Sequence, residues 1–240
     1  MELKDKVVLV TGSSGGMGQA ILSALSQESS DIIAQYRQKK VEIGTAEKVS
    51  PIQTDFLNIS DITNMFQTIK DQFGHLDVLI NTVGIEESAP DQLDTSKWEN
   101  LFQVNLFGAI ECARQAVPLM EKNGGVIVNI ASLAGIEGIV FKSSLAYSVS
   151  KAALIKFTEN LALMVSPAIR AFTVTPGYTE TPIWDGFSAK QKKECADAMP
   201  IERFIQPDEI AHFILNAVKN DAITGGNYII DGGLRLKSVI

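Results

Sequence analysis

The sequence predicts an α/β fold: one doubly wound parallel sheet of about seven strands with helices on both faces. Three observations carry this. Short apolar runs alternate with longer stretches of helical periodicity from end to end of the 240 residues. Several of the runs, "VVLV" (7–10) and "VLI" (78–80) among them, are continuous rather than alternating, as in strands buried on both faces. No linker, repeat or low-complexity tract interrupts the alternation, so strands and helices fall into one parallel sheet and one domain, 1–240.

Taken in order, "KVVLVT" (6–11) reads as the first strand, and the apolar spacing from Met17 to Glu28 as the first helix. "DIIAQY" (31–36) and "VSPIQTD" (49–55) are strands two and three. The segment between them, 38–48, is too short and polar for a full crossover helix and has room for a turn or two. "DITNMFQTIKDQF" (61–73) is helical and "LDVLIN" (76–81) is strand four. A long helical pattern covers 96–122, followed by strand five at "GVIVNIAS" (125–132) and a helix over 145–165. "IRAFTVTPG" (169–177), a helix over 207–220 and "NYIIDGG" (227–233) complete the alternation.

Composition narrows the function. The chain is 45% hydrophobic, ample for a core, and carries a net charge of −7. That balance argues against broad nucleic-acid binding, which needs a basic face, and against a polybasic membrane contact. Cys112 and Cys195 lie far apart with no metal spacing, as expected of thiols in a reducing compartment. His75 and His212 are isolated, and no metal is expected. The apolar run near Met1 is too short for a signal peptide and no run approaches a membrane span, so a cytoplasmic protein is expected.

The most informative stretch is "TGSSGGMG", Thr11 to Gly18, where the first strand hands over to a helix. Free N–H groups and the dipole at a helix start favour an anion. Gly12 suits the tight turn, Gly16 leaves room for a pyrophosphate and Gly18 allows close helix–sheet packing. The spacing Thr-Gly-x-x-x-Gly-x-Gly resembles the signature of the short-chain dehydrogenase/reductase family, which implies a Rossmann-type fold and a nicotinamide dinucleotide held by Gly12, Ser14, Gly16, Met17 and Gly18.

Further residues agree with that resemblance. Tyr147 and Lys151, in "AYSVSKAAL", stand four apart and share a helix face. An ammonium beside a phenol favours phenolate and makes Tyr147 an acid/base usable near neutral pH. Ser132 closes the fifth strand, where ligands of open α/β sheets bind. Its hydroxyl can hold a carbonyl oxygen, with Ser143 and Ser144 as alternatives. The interval from Ser132 to Tyr147 is two residues longer than in the commonest family members. "VNIASLAG" is similar to the family's strand-five motif, and Asn105 in "FQVNLFGA" matches its fourth catalytic residue, which implies a kinked helix and a water relay to Lys151. "INTVG" stands where the family has Asn-Asn-Ala-Gly: Asn81 and Gly84 match, Thr82 and Val83 depart. "TPGYTETP" is similar to the stretch that lines the nicotinamide, with Pro176, Gly177, Thr179 and Thr181 as contacts.

Cofactor choice is read at the end of strand two, where an acidic residue suits NAD and an arginine suits the 2′-phosphate of NADP. Tyr36 and Arg37 stand there, with Lys39 and Lys40 beyond. NADP(H) is expected over NAD(H), although Gly15 occupies a position that is often basic in NADP-preferring relatives. Asp55 and Phe56 resemble the adenine-contacting pair. Residues 178–200 are expected to form a substrate lid with Trp184, Phe187 and Met199 as an apolar wall or as its packing. Overall the chain is most similar to the 3-oxoacyl-[acyl-carrier-protein] reductases, which implies reduction of a small-molecule carbonyl. Only Lys122 and Arg170 supply charge where an acidic carrier protein would dock. Reductases of other ketones, sugars or steroid-like molecules, a non-catalytic NADP(H) sensor, and the isomerase or dehydratase branch are the alternatives. The helices over 96–122 and 145–165 carry apolar residues on more than one face, and the resemblance, whose members pair these helices between subunits, implies a homotetramer, with a dimer as the fallback.

Overall fold

Seven parallel strands form one sheet in the order β3-β2-β1-β4-β5-β6-β7. They are β1 Val7–Thr11, β2 Asp31–Tyr36, β3 Val49–Gln53, β4 Val78–Asn81, β5 Gly125–Ile130, β6 Ile169–Pro176 and β7 Asn227–Ile230. The computed structural model describes residues 1–39, 48–86, 93–141 and 144–236; most of the crossover segment 38–48 lies outside them. The chain order reverses between β1 and β4, which places a crevice at their carboxyl ends.

The apolar runs divide their side chains between two cores. Val8 and Val10 of β1 pack with Ile21 and Leu25 of α1 (Gly16–Ser26) and with Ile210 and Ile214 of α7 (Pro207–Lys219). Val7 and Leu9 pack on the other face against Ile62, Phe66 and Ile69 of α2 (Ile59–Phe73) and Cys112 and Ala116 of α4 (Gly108–Met120). Leu161 and Ala162 of α5 (Leu145–Val165) join the second core. β3 differs: it is an edge strand, mostly exposed, and tolerates Pro51.

The helix ends follow local chemistry. Asn58 caps α2 by accepting from Ser60 N–H, and Gly74, at φ +73°, closes it. Pro207 opens α7 behind a reciprocal cap of Gln206 and Glu209. By contrast α1 has no side-chain cap and no acidic residue in its first turn. The long pattern over 96–122 is not one helix. It comprises a 3₁₀ turn at Thr95–Lys97, α3 (Trp98–Phe102), a π-helical turn at Gln103–Phe107, and α4. The region 178–200 holds a further 3₁₀ turn at Pro182–Trp184 and a short helix, α6 (Ala189–Asp197), which begins in a Ser188/Gln191 capping box.

A buried chain of hydrogen bonds crosses the middle of the sheet. Thr11 Oγ1 donates to Asn81 Oδ1 (3.3 Å), Asn81 Nδ2 to Asn129 Oδ1 (2.9 Å), and Asn129 Nδ2 to Thr158 Oγ1 (2.8 Å) on α5. Thr82 adds to it, since its hydroxyl donates to the Thr11 carbonyl at 2.6 Å. The hydroxyl thus braces β4 against β1 where the family motif has an asparagine. Asn129→Leu strands the donor of Asn81 and is expected to cost about 2–4 kcal/mol, since each buried unsatisfied group costs about 1–3 kcal/mol; urea unfolding checks this.

Candidate active site

The glycine-rich turn is built so that its backbone stays bare. Gly12 takes φ +66°, and a Cβ there would lie 2.7 Å from Thr82 Oγ1. A Cβ on Gly16 would meet the Thr181 side chain at 2.8 Å, and one on Gly18 the Gly12 carbonyl oxygen at 2.3 Å. The first helical bond of α1 runs from Gln19 N–H to Gly15 O, so the N–H groups of Gly16, Met17 and Gly18 precede any intrahelical partner. Ser14 lies in the same turn, partly exposed.

The turn is held from behind by Gln35, a residue that sequence reasoning misses. Its side chain accepts from Gly12 N–H (2.7 Å) and donates to the Thr54 carbonyl (2.8 Å), while its backbone oxygen accepts from Ser13 N–H and Oγ. The available signal is one polar residue within the apolar run "DIIAQY".

Across the crevice, Ser132 follows the end of β5 and Tyr147 lies in the first turn of α5. Both line a cavity of about 540 Å³, together with Met17, Pro176, Gly177, Thr179 and Thr181. The Ser132 hydroxyl lies beside the Tyr147 phenol, close enough to act on its proton, and accepts from Ala134 N–H. Lys151 is buried beside them and donates to the Ile130 carbonyl at 3.0 Å. Gly84 leaves the space Lys151 uses: a Cβ there would be 3.1 Å from Nζ.

The electrostatics differ from the sequence expectation of an eased phenol. Burial pushes Tyr147 up to about 12; the Ser132 hydrogen bond opposes this and the Glu86 carboxylate adds to it. Burial pulls Lys151 down to about 8. Its Nζ is 5.8 Å from the Tyr147 ring centre and is committed to Ile130, so within the chain itself desolvation of the phenol outweighs the ammonium.

Asn105 sits in the π-helical turn, 1% exposed. Its side chain accepts from Ile85 N–H (2.8 Å) and donates to Ile85 O (2.9 Å) and Ser150 Oγ (3.2 Å). Ser150 in turn donates to the Tyr147 carbonyl. An asparagine unfavourable in a regular helix is thus accommodated by an i→i+5 bulge.

A model of the short chain dehydrogenase family matches residues 6–192. The chain belongs to that family. It is 31% identical to the 3-oxoacyl-[acyl-carrier-protein] reductase FabG of Thermotoga maritima, over 98% of this chain and 99% of that one. An uncharacterized oxidoreductase of the same organism is 29% identical, with 99% and 98% covered. Among solved structures, the aldohexose dehydrogenase of Thermoplasma acidophilum superposes with TM-score 0.87 at 29% identity, covering 99% of this chain and 97% of that one.

Membership of the short-chain dehydrogenase family makes the chain an oxidoreductase of the nicotinamide-dependent type with a small-molecule substrate, on the Rossmann-type fold of its seven-stranded sheet. The bare turn fits such a cofactor, because positions 12, 16 and 18 admit no Cβ and α1 is left uncapped for an anion. Further along, Tyr36 is half-buried and Arg37 and Lys39 are exposed at the end of β2, while Lys40 lies outside the described residues. Arg37 and Asp55 line a second, polar cavity. Phe56 is 3% exposed, its ring packed on Gly108 and its carbonyl accepting from the Gln103 side chain. Asn81 is committed to the ladder across the sheet. Trp184 and Phe187 line the main cavity, whereas Met199 packs into the core. Ser144 also lines the cavity, and Ser143 lies outside the described residues. No helix among the described residues is long and apolar enough to cross a membrane.

Gly18→Ala places a methyl against a backbone carbonyl that cannot rotate away. The substitution is expected to cost about 1–3 kcal/mol by overpacking and to weaken binding of the nicotinamide cofactor about tenfold or more, read by urea unfolding and by quenching of intrinsic fluorescence.

Proposed function

We propose that the protein is an NADP(H)-dependent oxidoreductase that interconverts a carbonyl and a secondary alcohol. The observation that carries this is the convergence of Ser132, Tyr147 and the Thr179–Thr181 segment on one cavity, with Lys151 buried beside it and Asn105 behind. The cofactor, when bound, supplies or accepts the hydride. In the reducing direction the substrate carbon takes the hydride and its oxygen takes a proton from Tyr147 Oη. Burial keeps that phenol protonated throughout the neutral range, which suits a proton donor. Ser132 holds the carbonyl oxygen beside it. Lys151, cationic below about pH 8, holds the nicotinamide ribose and eases the phenol when the proton must return. Asn105 fixes the π-helical turn and completes the relay through which Lys151 exchanges protons with solvent.

The turn from Gly12 to Gly18 would hold the pyrophosphate; Asp55, the Phe56 backbone, Asn81 and Gly84 would flank the adenosine and ribose; and Pro176, Gly177, Thr179 and Thr181 would face the nicotinamide end. Arg37, beside Tyr36, supports NADP(H), because a guanidinium binds a 2′-phosphate through paired N–H bonds. A 3-oxoacyl thioester is the first substrate reading, supported by full-length similarity to the Thermotoga maritima enzyme. A hydroxylated carbonyl compound is the second, supported by the carboxylate of Glu86 in the cavity wall and by the name of the Thermoplasma acidophilum neighbour. A homotetramer, or failing that a dimer, would cover the exposed Phe107, Leu163 and Met164. Residues 178–200 act as the lid. The free thiols of Cys112 and Cys195 accord with a cytoplasmic location.

Two experiments test the reading. Tyr147→Phe is expected to lower kcat for carbonyl reduction by about 10²–10⁴-fold while NADPH still binds; full turnover would remove Tyr147 from the chemistry. A protein that binds NADPH but turns over no carbonyl would be a sensor instead. NADPH is expected to exceed NADH in kcat/KM, and Arg37→Ala to cut that preference by about 10–100-fold, the range for a charge-assisted contact worth about 1.5–3 kcal/mol; equal use of NADH by the unsubstituted enzyme would overturn the assignment.

A further inference from the structure

Glu86 is the charged side chain in the cavity wall that the proposed chemistry does not use. It follows Ile85, whose backbone is gripped on both sides by Asn105, so its starting point is fixed relative to the reacting groups. Its Oε1 accepts a 2.5 Å hydrogen bond from Ser144 Oγ. Ser144 is the N-cap residue of α5, yet its side chain caps nothing there. The usual serine cap, worth about 1 kcal/mol, is given up and the hydroxyl serves the carboxylate instead. The same cavity holds Ser132 and Tyr147 at one end and Phe141, Tyr178 and Trp184 on its walls.

Resting on the reading of this site as a carbonyl–alcohol oxidoreductase, and favouring its second substrate reading over the first, we infer that Glu86 is a specificity-determining residue that selects a substrate bearing a hydroxyl donor, rather than a methylene or a carboxylate, beside its reacting carbon. An ionised carboxylate offers about four acceptor sites, of which the Ser144 bond uses one. A substrate hydroxyl donates to a free acceptor site of Glu86, while the single Ser144 O–H, spent on Glu86, holds the carboxylate in position. The aromatic walls suit the C–H faces of a small polyol. A carboxylate on the neighbouring carbon meets like charge, and a methylene there leaves the acceptors unpaired, which polar sites reject strongly.

The test uses three ketones on one skeleton: 1-hydroxy-2-butanone, 3-pentanone and 2-oxobutanoate. NADPH oxidation by the unsubstituted enzyme is expected to favour the hydroxyketone over 3-pentanone by about tenfold or more in kcat/KM, and over the keto acid by more. Glu86→Ala is expected to collapse the first ratio by about tenfold and to raise relative use of the keto acid. Ser144→Ala, which keeps the charge, is expected to loosen the hydroxyl preference and leave the keto acid excluded. NADPH binding, read by fluorescence, confirms that each variant is folded. Turnover without discrimination, or discrimination that survives Glu86→Ala, would overturn the inference and leave the oxidoreductase reading intact. Absence of turnover with any ketone, or with the corresponding alcohols and NADP⁺, would overturn both.

Discussion

The site depends on one constraint: the carboxyl ends of β1, β4 and β5 must keep their relative positions. The glycine-rich turn leaves β1, the Gly84–Glu86 segment leaves β4, and Ser132 leaves β5. Backbone pairing fixes strand spacing but not the strand ends, where the ladder gives way to loops. The Thr11–Asn81–Asn129–Thr158 chain ties those ends together and reaches α5, which carries Tyr147 and Lys151. Buried polar chains are costly when incomplete and rigid when satisfied. Here the rigidity serves three loops that must converge within a hydrogen bond's length.

Burial then sets the proton chemistry. Tyr147 and Lys151 are both desolvated, and desolvation moves a phenol up and an ammonium down. The pair therefore favours the state with a neutral phenol, and Lys151 is poised to lose its charge near pH 8. A proton leaving Tyr147 creates an anion whose stabilisation falls to groups within reach, the Ser132 hydroxyl and the Lys151 ammonium. Lys151 Nζ is anchored on the Ile130 carbonyl, so its position is set by β5 as much as by its own helix.

Much of this is legible in the sequence. The continuous apolar runs reveal both the number of strands and their two-sided burial, because each run feeds alternate residues to opposite cores. The glycines at 12, 16 and 18 are legible because each marks a place where a side chain would strike backbone or a neighbour. Periodicity does not reveal the break at 103–107, since apolar residues on more than one face of 96–122 hide the change of phase; only Asn105, an ill-suited residue in a buried helix, marks it. Gln35 shows the opposite limit. Its role is set by partners at Gly12, Ser13 and Thr54, and no local pattern records distant partners. Phe56 reads as a ligand contact in the sequence, yet the fold turns its ring into the space left by Gly108.

The π-helical turn links the strand ends to the proton-transfer groups. Inserting one residue into a helix rotates the turns after it and exposes a side chain that would otherwise lie along the ladder of i→i−4 bonds. Asn105 uses that freedom to bond both the N–H and the C=O of Ile85 and, through Ser150, the carbonyl of Tyr147. A single amide thereby registers the exit of β4 against the helix that carries the phenol. Because Glu86 is the next residue along, the same amide also fixes where Glu86 enters the cavity wall. Moving Ile85 would therefore disturb both the helix that carries Tyr147 and the starting point of Glu86.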